Sequence, residues 1–350
     1  EIDGGYMVPY TVTIPNSKVS FEMLPIPGGE TLIGSPDDEE NRLDDEGTQF
    51  KVMIEPFWMA KCEVTWAEYK EFMKTYNIFK EFQAAEMRIV NESNVADTIT
   101  SPTPLYEPDT TFALGAEDDQ PAVTMSQYAA KQYTKWIGAI TGTVCRLPSE
   151  CEWEHACRAG TSTPFSFDDA DQIDEYAWHY GNSDDAYHAV GQKKPNAWGL
   201  HDMHGNVAEL CLDQYYEDTY SKFGGKTVNA WDAIQWTKTM FPHVIRGGGW
   251  DCDAEQLRSA ARRSTEDWRD SDPNVPKSPW WFTDEPSQAV GFRIIRPLKV
   301  PTKEQQQQVY RIDSDKLQMA VEFRLEEGRG IRALVDKDLP AAIEELKNRK

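Results

Sequence analysis

Two short stretches concentrate the residues able to do chemistry. In "GLHDMHGNVAELCLD", residues 199–213, Asp202 and Glu209 supply carboxylates. Between them, Gly205-Asn206 lets the backbone turn and expose carbonyls. Hard oxygen ligands drawn from side chains and main chain together suit calcium. His201 and His204 stand three apart, yet no third ligand follows at zinc spacing. The second stretch, "IRGGGWDCDAEQLR" (245–258), brings three glycines up to Trp250 and Cys252. It lacks the Lys-Ser/Thr of a phosphate loop and the spaced glycines of a dinucleotide fingerprint. Cys252 is flanked by Asp251, Asp253 and Glu255, and their charge opposes a thiolate. A buried or disulfide-bonded thiol is the expectation there.

The acidic run "SPDDEENRLDDEG" (35–47) lacks the carboxylate spacing and the Gly-then-Glu ending of an EF-hand, and reads as a solvated loop. "RSAARR" (258–263) gathers three arginines, Arg258, Arg262 and Arg263. They either pair with the acidic segments or floor an anion-recognising groove.

The 350 residues carry 36 Lys plus Arg against 59 Asp plus Glu, a net charge of −23. That excess repels nucleic-acid phosphates, so no nucleic-acid partner is expected. No run approaches the ~18 apolar residues of a membrane helix. Twelve Trp, 14 Tyr and 14 Phe indicate a packed core. Six cysteines suggest disulfides or buried thiols rather than zinc ligation. The chain starts at Glu1, which suggests a trimmed or processed start.

The elements that must position these groups announce themselves through caps. Thr65 with Glu68, and Ser149 with Glu152, are capping boxes, and Ser126 is a further N-cap. Tyr69, Phe72, Met73 and Tyr76 follow the first cap at helical spacing, and Tyr133, Trp136, Ile137 and Ile140 follow Ser126. Residues 91–120 read as a surface loop, and "VGFRIIRPL" (290–298) as a final strand. Between the third helix and that strand lie short strands and irregular chain, an α+β pattern rich in loops. Residues 1–19 form a strand-bearing lead-in, 20–299 the main domain, and 300–350 a helical extension. Asp338 is the expected cap of its last helix.

Seven stretches in order resemble the formylglycine-generating enzyme (sulfatase-modifying factor) family: "PIPGGETLIGSPDDEENRLDDEG", "PFWMAKCEVTWAEYKEF", "PAVTMSQYAAKQYTKWI", "RLPSECEWEHACRAG", "VGQKKPNAWGLHDMHGNVAEL", "RGGGWDCDAEQLRSAARR" and "VGFRIIRP". The resemblance implies a C-type-lectin-like α+β fold holding structural calcium. It places the calcium ligands at the Asp202 side chain, the carbonyls of Gly205 and Val207, and Glu209. The family's enzymes oxidise a sulfatase cysteine to formylglycine with copper, held by two cysteines after a Gly-Gly-Ser motif, and molecular oxygen. Soft thiolate pairs suit Cu(I). Here Cys252 stands alone, and the second cysteine's place falls near Ala254 or Leu257. The serine is Gly249, and the tryptophan of Gly-Asn-x-Trp-Glu is Ala208. The resemblance therefore points to a divergent, non-catalytic, calcium-stabilised module without copper. It would be extracytoplasmic and bind a protein or glycan, with the C-terminal helices available for assembly. The alternative is a copper- and oxygen-dependent oxidase working through Cys252.

Overall fold

The computed structural model describes residues 5–105, 108–266, 278–282, 285–312 and 314–349, so the first four residues of the lead-in lie outside the described part. The chain opens with strands β1 (Tyr10–Thr13), β2 (Ser20–Ile26), β3 (Gly29–Ile33), β4 (Phe50–Ile54) and β5 (Phe57–Ala60). Helix α1 (Trp66–Ala84), strand β6 (Thr98–Ser101), helix α2 (Pro108–Thr111), and helices α3 (Gln127–Ile140), α4 (Glu150–Arg158) and α5 (Ile173–Tyr176) follow. Then come β7 (Ala208–Gln214), β8 (Thr227–Asn229), α6 (Ala230–Ala233), β9 (His243–Arg246), β10 (Arg262–Ser264), β11 (Val290–Gly291) and β12 (Ile295–Pro297). The extension holds α7 (Lys303–Tyr310), α8 (Asp315–Glu326), β13 (Ile331–Leu334) and α9 (Leu339–Asn348). Mixed helix and short sheets make this an α+β fold, as the sequence pattern indicates.

The caps work as their residue types require. Thr65 accepts from the Glu68 amide while Glu68 reaches back to Thr65, and Ser149 and Glu152 do the same at α4. Ser126 caps α3 by accepting from Ala129. The aromatic stripes then meet: Tyr69 stacks on Tyr133 and Phe72 packs on Trp136. Asp338 makes no side-chain cap bond at α9, which instead carries Pro in its first turn.

Four sheets surround these helices: β1-β2-β5-β12, β10-β9-β7-β11, β3-β4-β8, and the pair β13-β6. In the second sheet β11 runs parallel to β7, aligning Val290 with Ala208 and Gly291 with Glu209. The stretch 290–298 is therefore two short strands in two sheets. Phe292 and Ile294 are buried between them.

Three local expectations change. Residues 91–120 are more than a loop, because Thr98–Ser101 form a fully buried strand paired with β13. Its threonines and serine hide a polar face by bonding inward: Thr100 to Tyr128, and Ser101 to Thr75. The acidic run 35–47 is partly buried. Glu46 is 0 % exposed, and Arg258 binds both Glu46 and Glu39. The charged stretch after Pro301 divides into α7, α8 and β13. Val309, Leu317, Val321, Ile331, Val335, Leu339 and Leu346 join the main core. All six cysteines are free thiols, Cys62 half-buried and the others buried.

Candidate functional site

The acid-bearing segment enters β7 through a tightly turned backbone. Asp202, Gly205 and Asn206 all have positive φ, at 57°, 109° and 61°. A side chain at Gly205 would put its Cβ 2.2 Å from the Trp178 carbonyl, so the turn requires glycine. Asn206 fastens the turn: its Oδ1 accepts from the His188 amide and its Nδ2 donates to Glu63 Oε1.

Around this turn lies a buried cluster of Glu63, Asp202, Glu209 and Arg293. Asp202 Oδ2 accepts from the Gly191 amide at 2.7 Å. Its other oxygen, and Glu63 Oε2, are buried and meet no N–H or O–H donor, and the two carboxyls face each other closely enough to share a proton. Burial, and then the charge of Asp202, push the Glu63 carboxyl well above its ordinary range. Burial likewise raises Asp202. Glu209 is differently served. Arg293 Nε donates to both its oxygens at 2.8 and 2.6 Å, and Trp153 Nε1 donates to Oε2 at 2.8 Å. Arg293 also reaches the carbonyls of Ala60 and His201, tying β5 to the turn.

Asp202, Gly205, Val207 and Glu209, the set that the family resemblance implies, follow one another through this turn into β7. The structure adds Glu63 and Arg293, which sequence reasoning did not select. Their signal was present: each is a charged residue inside an apolar stretch, in "KCEVT" and "VGFRII". Neither histidine of the segment is poised for a metal. His204 Nδ1 donates to the Leu257 carbonyl, its Nε2 accepts from Ser166, and burial lowers its pKa to about 4. His201 Nδ1 faces the Lys193 carbonyl. Among the described residues no three His, Cys, Asp or Glu side chains are grouped to hold a metal ion.

The glycine loop lies beside this unit, since the Gly205 amide donates to the Gly247 carbonyl. Gly247 and Gly248 have φ of 89° and 66°. A Cβ on Gly247 would lie 3.1 Å from Trp153, and one on Gly248 only 2.4 Å from Leu257. Two of the three glycines are therefore there for backbone geometry and close packing. A side chain on Gly249 would meet Asp251 Oδ1 at 3.0 Å and the Ala289 carbonyl at 3.1 Å, leaving little room for a serine.

Cys252 is 2 % exposed, and burial pushes its thiol up to about 11, with Asp251 adding to the shift and Arg263 opposing it. Arg263 Nη1 lies 2.6 Å from its sulfur, and the Gly249 amide donates to it from 3.3 Å. Of the two places for a second cysteine, Leu257 is fully buried and Ala254 is half-buried, and Ala208 is buried in β7. These residues do not fit copper. A pair of soft thiolates suits Cu(I), and this loop offers one thiol, with the Arg263 guanidinium against it.

The arginine cluster pairs internally. Arg262 Nε donates to Glu150 Oε1, and Arg258 clasps the acidic run. Behind them Arg246, fully buried, donates to Glu150, Glu154, Tyr220 and the Ser259 carbonyl. Burial opposes ionisation of Glu150, but Arg262 and Arg246 hold its carboxyl below the ordinary range. These arginines form a frame beneath the glycine loop rather than an open anion floor.

The Sulfatase-modifying factor enzyme 1-like domain (FGE-sulfatase) model matches residues 11–275. The chain is 27% identical over 241 residues to a serine/threonine-protein kinase, pkn1, of Chlamydia pneumoniae, covering 69% of this chain and 35% of the kinase. It is 26% identical over 236 residues to the formylglycine-generating enzyme of Bos taurus, covering 57% and 60%. With the enzyme of Streptomyces coelicolor it shares 24% over 289 residues, covering 68% and 82%. The match thus spans about a third of the kinase and three fifths of the bovine enzyme. Among solved structures it is similar to PvdO from Pseudomonas aeruginosa, with a TM-score of 0.55 and 26% identity over 79% of this chain and 94% of that one. Treponema denticola variable protein 1 shares the fold, with a TM-score of 0.56 and 20% identity over 83% and 100%. A family model spanning most of the chain, over a fold shared with these structures, shows that the chain belongs to the Sulfatase-modifying factor enzyme 1-like (FGE-sulfatase) family.

Proposed function

We propose that this chain is a non-catalytic member of the family, a calcium-stabilised scaffold that presents its surface to a protein or glycan partner. The observation that carries the reading is the Cys252–Arg263 contact. A lone, buried thiol with a guanidinium 2.6 Å from its sulfur lacks the second soft ligand of a thiolate pair. Gly249 and Ala208 stand where the resemblance expects a serine and a tryptophan; a side chain on Gly249 would meet Asp251 and Ala289 at 3.0–3.1 Å, and Ala208 is buried. The purified protein, supplied with Cu(I), a sulfatase-type cysteine peptide and oxygen, is expected to leave the cysteine unchanged by mass spectrometry. Catalytic conversion of the peptide to formylglycine, lost in Cys252→Ala, would overturn the reading in favour of an oxidase.

Calcium is part of the same proposal. What supports it is the pair of buried carboxylate oxygens on Asp202 and Glu63 that meet no N–H or O–H donor, beside a turn whose φ values suit main-chain ligation. The ligands would be Asp202 and the carbonyls of Gly205 and Val207, with Glu63 as a nearby oxygen. Glu209 joins them only by releasing Arg293. Saturating calcium is expected to raise the melting temperature by about 3–6 °C over the chelator-treated protein. The gain should vanish in Asp202→Asn. Identical melting with calcium and with chelator would remove the calcium assignment.

A further inference from the structure

Helix α8 is apolar on two sides. Leu317 and Val321 are buried on the inner side, at 6 % and 0 % exposure. On the outer side Met319 is 72 % exposed and Phe323 55 %. A surface helix normally keeps one apolar stripe for its core, and a second one asks for a second partner. The outer stripe reads Lys316, Met319, Phe323, Glu326, with steps of three, four and three residues. That is the spacing of a seam along which two helices pack. All four residues are exposed.

The stripe is also self-complementary. Turned end over end about its middle, it places Lys316 against Glu326 and Met319 against Phe323 of an identical helix. Neighbouring charges are used inside the chain: Glu322 binds Arg332, and Glu327 faces Arg329 and Arg324. Lys316 and Glu326 have no ion-pair partner within the chain among the described residues. We propose that the outer face of α8 is a two-fold dimerisation surface, in which α8 packs antiparallel on α8 of a second copy. The two Met319–Phe323 contacts form its centre, and two Lys316–Glu326 pairs close its ends. An isologous contact of this kind closes on itself and does not propagate. The seam is roughly 15 Å long at the usual helical rise. Alone it falls short of the ~800 Å² per partner of a standard stable complex. The dimer is therefore weak and concentration-dependent.

Sedimentation velocity over a concentration series up to about 500 µM tests it, with affinities compared as ratios. The wild-type mass should climb from monomer toward dimer. Lys316→Glu and Glu326→Lys should each weaken association by about tenfold or more, since each sets like charges face to face. The combined reversal should restore association to near wild-type strength, because the pairs reform with their signs exchanged. Phe323→Ser should abolish association while melting as wild type does. A wild-type chain that stays monomeric throughout, or a combined reversal no better than its single parents, would overturn the proposal.

Discussion

Removal of residues 300–350 is expected to leave a chain that does not fold. The extension has the composition of an appendage, but its contacts are those of a core element. Among the described residues, strand β13 is the only partner of β6, pairing Ile331 with Ser101 through to Leu334 with Thr98. Without it, a fully buried strand loses its ladder bonds, and buried backbone groups left unpaired are costly. Arg88 would lose the Leu334 carbonyl and Asp336, the Cys145 carbonyl would lose the Tyr310 hydroxyl, and Lys131 would lose the Arg311 carbonyl. Val309, Leu317, Val321, Ile331, Val335, Leu339 and Leu346 would leave the core. At ~1.5 kcal/mol for each such side chain, the loss alone matches the ~5–15 kcal/mol that keeps a typical domain folded. Soluble yield and near-ultraviolet circular dichroism of a chain ending at residue 299 are the measurements. A truncated chain that melts cooperatively near the full-length temperature would show the extension to be dispensable.

Arg246→Leu is expected to cost about 3–5 kcal/mol, the range for removing one member of a buried ion network. Arg246 is 1 % exposed and neutralises two carboxylates of α4, which is buried along its whole length. Deleting the guanidinium leaves the shared negative charge of Glu150 and Glu154 to Arg262 and Arg158 alone. The diagnostic variant is Arg246→Leu combined with Glu154→Leu. Removing both charges should recover part of the loss, because the penalty arises from the unpaired carboxylate more than from the missing bond. Urea unfolding with matched m-values reads this out. Equal stability of wild type and Arg246→Leu would show that the network is not what holds α4 to its sheet.

Local features of this fold are written plainly in the sequence. A cap needs only a hydroxyl and a carboxylate three residues apart, so the starts of α1, α3 and α4 are visible without any distant partner. The same holds for the turn at Gly205-Asn206, whose residue types tolerate positive φ. What escaped depends on partners far along the chain. Thr98–Ser101 look like loop because three of their side chains are hydroxylic, and only β13, about 230 residues later, makes them a strand. The arginines 258, 262 and 263 are equally compatible with an open anion site and with internal pairing. For Arg258 and Arg262 the choice is made by Glu39, Glu46 and Glu150 arriving from elsewhere, while Arg263 turns to Cys252 and Asp251. The rise in the Cys252 pKa was legible from its acidic neighbours, but its main cause is burial, and the Arg263 contact that opposes it was not visible.

The order of strands in the sheets has a consequence for how the protein is made. β5 waits for β12, β7 for β11, and β6 for β13. β5 and β6 are translated early and completed by strands more than 200 residues later, and β7 by a strand about 80 residues on. The ribosome therefore holds most of the chain outside before any of these three sheets can close. Domains usually fold as units once their last contributing residues are available, and pairings of such long separation are slow. The early strands expose unpaired edges throughout that interval. The nascent chain is a better client for chaperones than the finished protein, and a pause in translation after residue 300 gives such helpers their longest opportunity.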